Sequence, residues 1–206
     1  MQDLIESIEA LKNGDLRRCV DARIQEFKTM RDNPVDVLFQ ELCFCILTAN
    51  CSAERCIRIQ NEINQGFLVF SEEELGQKLK TLGYRFPPRA RHIIVSRQYC
   101  SDLPKVLRSF HGEALREWLV EHVDGLGYKE ASHFLRNIGF DDFAIIDSHI
   151  VDVLVKNGLI TQPKTLTKRV YLEIEQMLKK LAKQVHLSLA ELDLYLWYME
   201  TGKVLK

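Results

Sequence analysis

The stretch from Leu119 to Ile150, LVEHVDGLGYKEASHFLRNIGFDDFAIIDSHI, constrains the chain more than any other. At its centre, Gly125 and Gly127 stand one residue apart between two segments of helical periodicity. Trp118, Leu119 and Val123 recur at helical spacing before them, and Ala131, Leu135 and Ile138 form an apolar stripe after them. Two glycines let the backbone turn sharply and approach another surface with no Cβ in the way. The amides of this turn, and of the helix beginning near Tyr128, have no intrahelical partner and point outward. That arrangement suits a phosphate.

The remainder of the chain reads as short helices with short connections. Asp3 to Met30 is helical with a break near Asn13-Gly14, and Pro34 opens the next helix with Asp32 or Asn33 as its cap. Val35 to Leu47, VDVLFQELCFCIL, is apolar throughout and predicts a buried core helix. Small polar residues from Thr48 to Ala53 end it, and Ser52 caps a helix through Ile63. Ser71 and Glu74 have capping-box spacing. Pro87 and Pro88 make Leu82 to Ala90 an irregular loop, after which Arg89 to Leu107 reads as one basic helix. Three more helices follow, the first ending at Gly158, the second spanning Thr167 to Val185, and the third running from Ser188 to Met199 and ending at Gly202. No strand alternation of any length interrupts them, so the fold class is all-α.

Composition sets the limits of function. With 46% hydrophobic and 28% charged residues the 206-residue chain is a globular protein, and no apolar run is long enough for a membrane span. The acidic, amphipathic N-terminus is unlike a secretory signal, so an intracellular location in the cytoplasm is expected. A formal net charge of −1 is unusual for a partner of DNA, but the charge is unevenly spread. Between Tyr84 and His111 six basic side chains face one acidic one, and between Lys156 and His186 seven face two. The six cysteines, at 19, 43, 45, 51, 56 and 100, include no C-x-x-C pair, and no histidine cluster completes a metal site. They are expected to be buried small apolar side chains.

The residues GLGYKEASHFLRNIGF and AIIDSHI, with the frame from FQELCFCILTANCSAERC to DLYLWYMETGKVLK, carry a resemblance. The chain resembles the second family of 8-oxoguanine DNA glycosylase/AP lyases, known from archaea and thermophilic bacteria, within the helix–hairpin–helix DNA glycosylase superfamily. The resemblance runs over nearly the whole chain. A lysine two residues past the second glycine, with an aspartate 18 positions later, is its specific signal. It implies a two-lobed helical fold with the hairpin at the cleft between lobes. Residues 1–34 plus 153–206 would form one lobe and 35–152 the other. It implies double-stranded DNA containing an oxidised purine as partner, and a monomer associated with a prokaryotic nucleoid. The four cluster cysteines of endonuclease III relatives are missing, so no redox or metal cofactor is expected. A monovalent cation on the carbonyls of Glu121, Val123 and Leu126 is the one ion the superfamily suggests.

Lys129, in the first turn of a helix, could simply touch phosphate, but it matches the family's Schiff-base lysine. There the helix dipole and burial under a duplex both disfavour an ammonium, as an amine nucleophile requires. Asp147 is placed to cap the helix starting at Ser148, and it matches the family's catalytic aspartate. A fixed carboxylate near the sugar stabilises oxocarbenium-like charge, so capping and catalysis are compatible. Gly125, Gly127, Tyr128 and His149 are candidate DNA contacts, His149 and His133 being equally able to pack within helices. Asn50 either fills the gap left by an extruded nucleotide or, with Ser52, caps a helix. Phe86 and Trp197 either stack on the extruded base or fill the core. The tail through Lys206 would close the base pocket, its carboxylate accepting from N7–H of 8-oxoguanine. Two further readings stand beside this one: a glycosylase for another damaged base, and a helix–hairpin–helix module that grips DNA without chemistry.

Overall fold

The computed structural model describes residues 1–49 and 51–206, and among them there are helices and turns but no strand. In chain order the helices are α1 (Gln2–Lys12), α2 (Leu16–Met30), α3 (Val35–Thr48), α4 (Ala53–Ile63), α5 (Gly66–Val69), α6 (Glu72–Thr81) and α7 (Arg89–Ser96). They continue with α8 (Leu103–Ser109), α9 (Gly112–His122), α10 (Tyr128–Asn137), α11 (Ser148–Lys156), α12 (Lys168–Gln184) and α13 (Leu189–Thr201). No helix among the described residues is long and apolar enough to cross a membrane.

The chain divides into two compact units, Met1–Thr29 with Leu135–Lys206, and Met30–Phe134. The central unit is built on α3, which packs against α4, α5, α7 and α8. Leu42, Cys43, Phe44, Cys45, Ile46 and Leu47 are all buried, so the helix is apolar on every side, as its sequence demands. Each large side chain so buried contributes roughly 1.5–3 kcal/mol. The cap of α3 is Pro34 itself rather than Asp32 or Asn33, and no side chain caps it. The basic segment after Arg89 is not one helix: α7 ends at Ser96, a 3₁₀ turn covers Arg97–Tyr99, and α8 starts afresh at Leu103. Pro104, which lacks an amide proton, fits only the first turn of a new helix.

The terminal unit is organised by α13, which packs on α1, α11 and α12. The capping box at Ser188 and Glu191 sets where it begins, and Gly202, left-handed, ends it. Residues 135–152 lie in this unit, and the contacts give the reason. Tyr171 Oη donates to the Ala144 carbonyl at 2.7 Å and accepts from the Ile146 amide at 3.2 Å. Arg136 on α10 pairs with Asp193 on α13 at 2.6 Å, both nearly buried, and its guanidinium lies 4.7 Å from the centre of the Phe27 ring. Breaking such a buried pair by removing one partner is costly, because the other charge is left behind. After Asn137 the chain reverses through Gly139. The amides of Gly139 and Phe140 return to the carbonyls of Arg136 and Leu135, the double bond of a Schellman turn. Gly139 has φ +90°, and a Cβ there would lie 3.0 Å from the Lys28 backbone, so only glycine fits.

Candidate active site

The candidate residues fall into two sets, one in each unit. In the central unit, the last turn of α3 exposes carbonyls that no helical amide can reach. The Cys45 carbonyl accepts from Thr48 Oγ1 at 2.8 Å, that of Ile46 from Arg89 Nη1 at 2.6 Å, and that of Leu47 from Tyr84 Oη at 3.0 Å. The last of the series, the Thr48 carbonyl, faces Lys129 Nζ at 3.4 Å, with Thr48 Oγ1 at 3.5 Å. The negative end of the α3 dipole thus collects cations, Arg89 and Lys129 among them.

Lys129 reaches this position because the hairpin holds the start of α10 close to α3. The Val123 amide ends α9 on the Leu119 carbonyl at 3.0 Å, and the Leu126 amide closes the turn on the Val123 carbonyl at 3.2 Å. The two glycines do different work. Gly125 has φ +85°, and a Cβ would press on the His92 ring and the Arg89 guanidinium at 3.2–3.3 Å. Arg89 also donates to the Gly125 carbonyl at 3.2 Å. Gly127 is not left-handed and instead stands at the start of α10, its amide donating to Glu130 Oε2 at 3.1 Å. The other oxygen of Glu130 lies 3.5 Å from Lys129 Nζ. Tyr128 turns its hydroxyl to the Glu117 carboxylate and lies under the Arg116 guanidinium, so its side chain serves packing.

In the terminal unit Asp147 caps α11, Oδ1 accepting the Ile150 amide at 3.0 Å. Two residues on, the ring of His149 meets the indole of Trp197 edge to face, with centroids 4.6 Å apart. Trp197 Nε1 is buried and has no hydrogen-bond partner among the described residues. Lys206 is half-buried at the end of the chain. In the central unit Phe86 is 41% exposed and touches Tyr84 edge to face, so it does not plug the core. His133, on α10, is buried edge-on against Phe44. Asn50 lies outside the described residues.

Other expectations change. Two of the six basic residues between Tyr84 and His111 are spent inside the unit, Arg89 as above and Arg97 on the Phe67 carbonyl at 2.8 Å. Only Cys43, Cys45 and Cys56 are buried; Cys51 and Cys100 are partly exposed and Cys19 is exposed. Cys19 lies on a polar face of α2, away from the buried Val20, Ile24 and Phe27, so no apolar surroundings enclose it. Thr48, Arg89, His92 and Glu130 are not among the site candidates that the sequence offers. Glu130 carried a signal, since a carboxylate three residues after a helix cap is half of a capping box. Thr48 carried none, being 81 positions from the lysine it faces. Among the described residues no group of three or more His, Cys, Asp or Glu side chains is arranged to hold a metal ion.

Known proteins of this shape carry consistent names. A family model described as 8-oxoguanine DNA glycosylase matches residues 20–187. A relative from Methanocaldococcus jannaschii, named 8-oxoguanine DNA glycosylase/AP lyase, is 52% identical over 206 residues, covering 98% of this chain and 99% of its own. One of the same name from Korarchaeum cryptofilum is 48% identical over all of this chain and 99% of its own. The crystal structure of the M. jannaschii enzyme with a 15mer DNA containing 8-oxoguanine matches at TM-score 0.96 and 51% identity, over 98% of this chain and 99% of that one. The Thermotoga maritima 8-oxoguanine DNA glycosylase matches at TM-score 0.94 and 40% identity, over 100% of this chain and 99% of that one.

Proposed function

Since the chain belongs to the 8-oxoguanine DNA glycosylase family, we propose that it removes 8-oxoguanine from double-stranded DNA and then cuts the strand. The damaged nucleotide is extruded from the stack, at a cost of a few kcal/mol that contacts with the vacated strand offset. Lys129 Nζ attacks C1′ as the bond from C1′ to the base nitrogen breaks, and Asp147 stabilises the positive charge developing on the sugar. Opening of the sugar ring leaves an iminium between Nζ and C1′. That iminium acidifies the C2′ proton, and its removal expels the 3′ phosphate by β-elimination.

The observation that carries this reading is the placing of Lys129. Its amine sits in the first turn of α10, part-buried, against a carbonyl at 3.4 Å and a carboxylate at 3.5 Å. Those contacts are long enough to release it toward a substrate. The amides of Gly125 and Tyr128 are the proposed grip on the phosphate backbone, and that of Gly127 joins them once a phosphate displaces the Glu130 carboxylate it now donates to. Trp197 and Phe86 are the proposed stacking surfaces for the base, with the tail through Lys206 closing over it and His149 supporting Trp197. The carbonyls of Glu121, Val123 and Leu126 are a proposed seat for a monovalent cation beside a phosphate. Oxygen donors suit such an ion, and the Val123 oxygen keeps a second lone pair after accepting from Leu126. No step runs through that ion. The protein would act as a monomer in the cytoplasm of a prokaryote.

Borohydride trapping tests the reading. A duplex with one 8-oxoguanine should give a covalent protein–DNA adduct that disappears in Lys129→Gln; a wild-type protein that never traps overturns it. A panel of duplexes bearing 8-oxoguanine, an oxidised pyrimidine or an alkylated purine fixes the lesion. A short C-terminal extension should slow excision of 8-oxoguanine and spare cleavage at a preformed abasic site.

A further inference from the structure

Two cysteines flank the N-terminus of α4. Cys51 precedes the cap Ser52, and Cys56 is the fourth residue of the helix, which begins at Ala53. Side chains at these two positions fold onto each other across the first turn, the arrangement that a pair of apolar residues uses to staple a helix entry. Here the staple is made of two thiols, near enough for Cys56 to act on the thiol of Cys51. Cys51 is partly open to solvent and Cys56 is buried beneath it. The other thiols of the central unit differ: Cys43 and Cys45 are buried in α3, and burial pushes the Cys43 and Cys100 thiols up.

The pair is wired to the lysine. The Thr48 carbonyl is approached by two donors, the Cys51 amide at 3.4 Å and Lys129 Nζ at 3.4 Å. The ammonium of Lys129 is also close enough to Cys56 to act on its thiol. A covalent change at Cys51 therefore acts on a backbone whose neighbouring carbonyl holds the amine.

We propose that Cys51 and Cys56 are a reversible oxidation site, forming a disulfide when exposed to a hydroperoxide, and that this bond suppresses the reaction at Lys129. The second half rests on the reading of Lys129 given above. The thiolate of Cys51 attacks one oxygen of hydrogen peroxide, forming a sulfur–oxygen bond as the oxygen–oxygen bond breaks. The departing hydroxide takes a proton and leaves as water. The Cys56 sulfur then attacks the sulfenic sulfur, the second hydroxide leaves with the Cys56 proton, and two thiols have given two electrons to one peroxide. The neighbouring Cys56 thiol, aided by the charge of Arg55, draws the Cys51 thiol down to about 7, so a thiolate is available at neutral pH. A dithiol reductant reverses the bond.

The test uses the whole protein, treated with hydrogen peroxide and quenched. Trypsin cuts after Arg55 and Arg58, so the disulfide joins peptide 32–55 to peptide 56–58, with a mass two hydrogens below their sum. That cross-link should form in the wild type, vanish with dithiothreitol, and be absent in Cys51→Ser and Cys56→Ala. Single-turnover cleavage of an abasic-site duplex should slow by about tenfold or more on oxidation, since a small misplacement of a reacting group is enough for that. It should recover on reduction and stay unaffected by peroxide in Cys51→Ser. Failure to find the cross-link overturns the site, and an equal peroxide loss in Cys51→Ser overturns its link to Lys129. A reduced protein with no lyase activity refutes the nucleophile itself while the mass readout still decides the disulfide.

Discussion

Lys129 and Asp147 both stand at the mouth of a helix, yet the molecule holds them in opposite ways. Asp147 is fixed: one oxygen takes the Ile150 amide at 3.0 Å, and the segment before it is tied down through Tyr171. Lys129 is only parked, with every polar contact of its amine among the described residues at 3.4 Å or beyond. A group that stabilises charge works best when it needs no reorganisation, and a group that forms a bond must be able to travel. The contrast in restraint matches the proposed division of labour.

Lys129→Gln should abolish borohydride trapping and lower strand cleavage by about 10³-fold or more, as removal of a nucleophile does, measured in single turnover. Next, Asp147→Asn should keep the cap, because asparagine caps as well as aspartate does. Excision should then fall by roughly 10²-fold, with the melting temperature within about 2 °C of wild type by calorimetry. Asp147→Ala should lose catalysis and also about 1 kcal/mol of stability. If Asp147→Asn excises normally, the carboxylate is a cap and nothing more.

Gly125→Ala tests the hairpin that carries the lysine. At φ +85° a side chain costs about 1–2 kcal/mol, and its methyl meets His92 and Arg89. Duplex affinity should weaken by about tenfold in a binding titration, with trapping slowed in parallel. The smallest effect is expected from Thr48→Val, which removes Oγ1 and leaves the carbonyl that faces Nζ. Cleavage should change by no more than about fivefold if the parking contact is the backbone oxygen, a hydrogen bond being worth about 1 kcal/mol.

What was legible in the sequence was local. The capping box at Ser71 is written in residues three apart, and it is present. The all-α class, the buried α3 and the cap at Asp147 follow from periodicity and cap chemistry in the same way. The segment after Arg89 reads as one helix because its basic and apolar residues keep helical spacing through a turn, and Pro104 is the only residue that marks the break. The assembly around the end of α3 was not legible at all. Arg89 reaches Ile46 across 43 positions, and no local pattern announces which carbonyl an arginine will find. Positive charge read as a surface for DNA was in part interior scaffolding, since a buried carbonyl attracts a guanidinium as well as a phosphate does.

The two tryptophans are divided one to each unit, and each rests against a histidine. Trp118 stacks on His122 with ring centroids 4.4 Å apart, while Trp197 meets His149 edge-on. Replacing either indole with phenylalanine leaves a protein whose emission reports on one unit alone. Denaturation and titration with DNA can then be followed by light in each half separately, without attaching a dye.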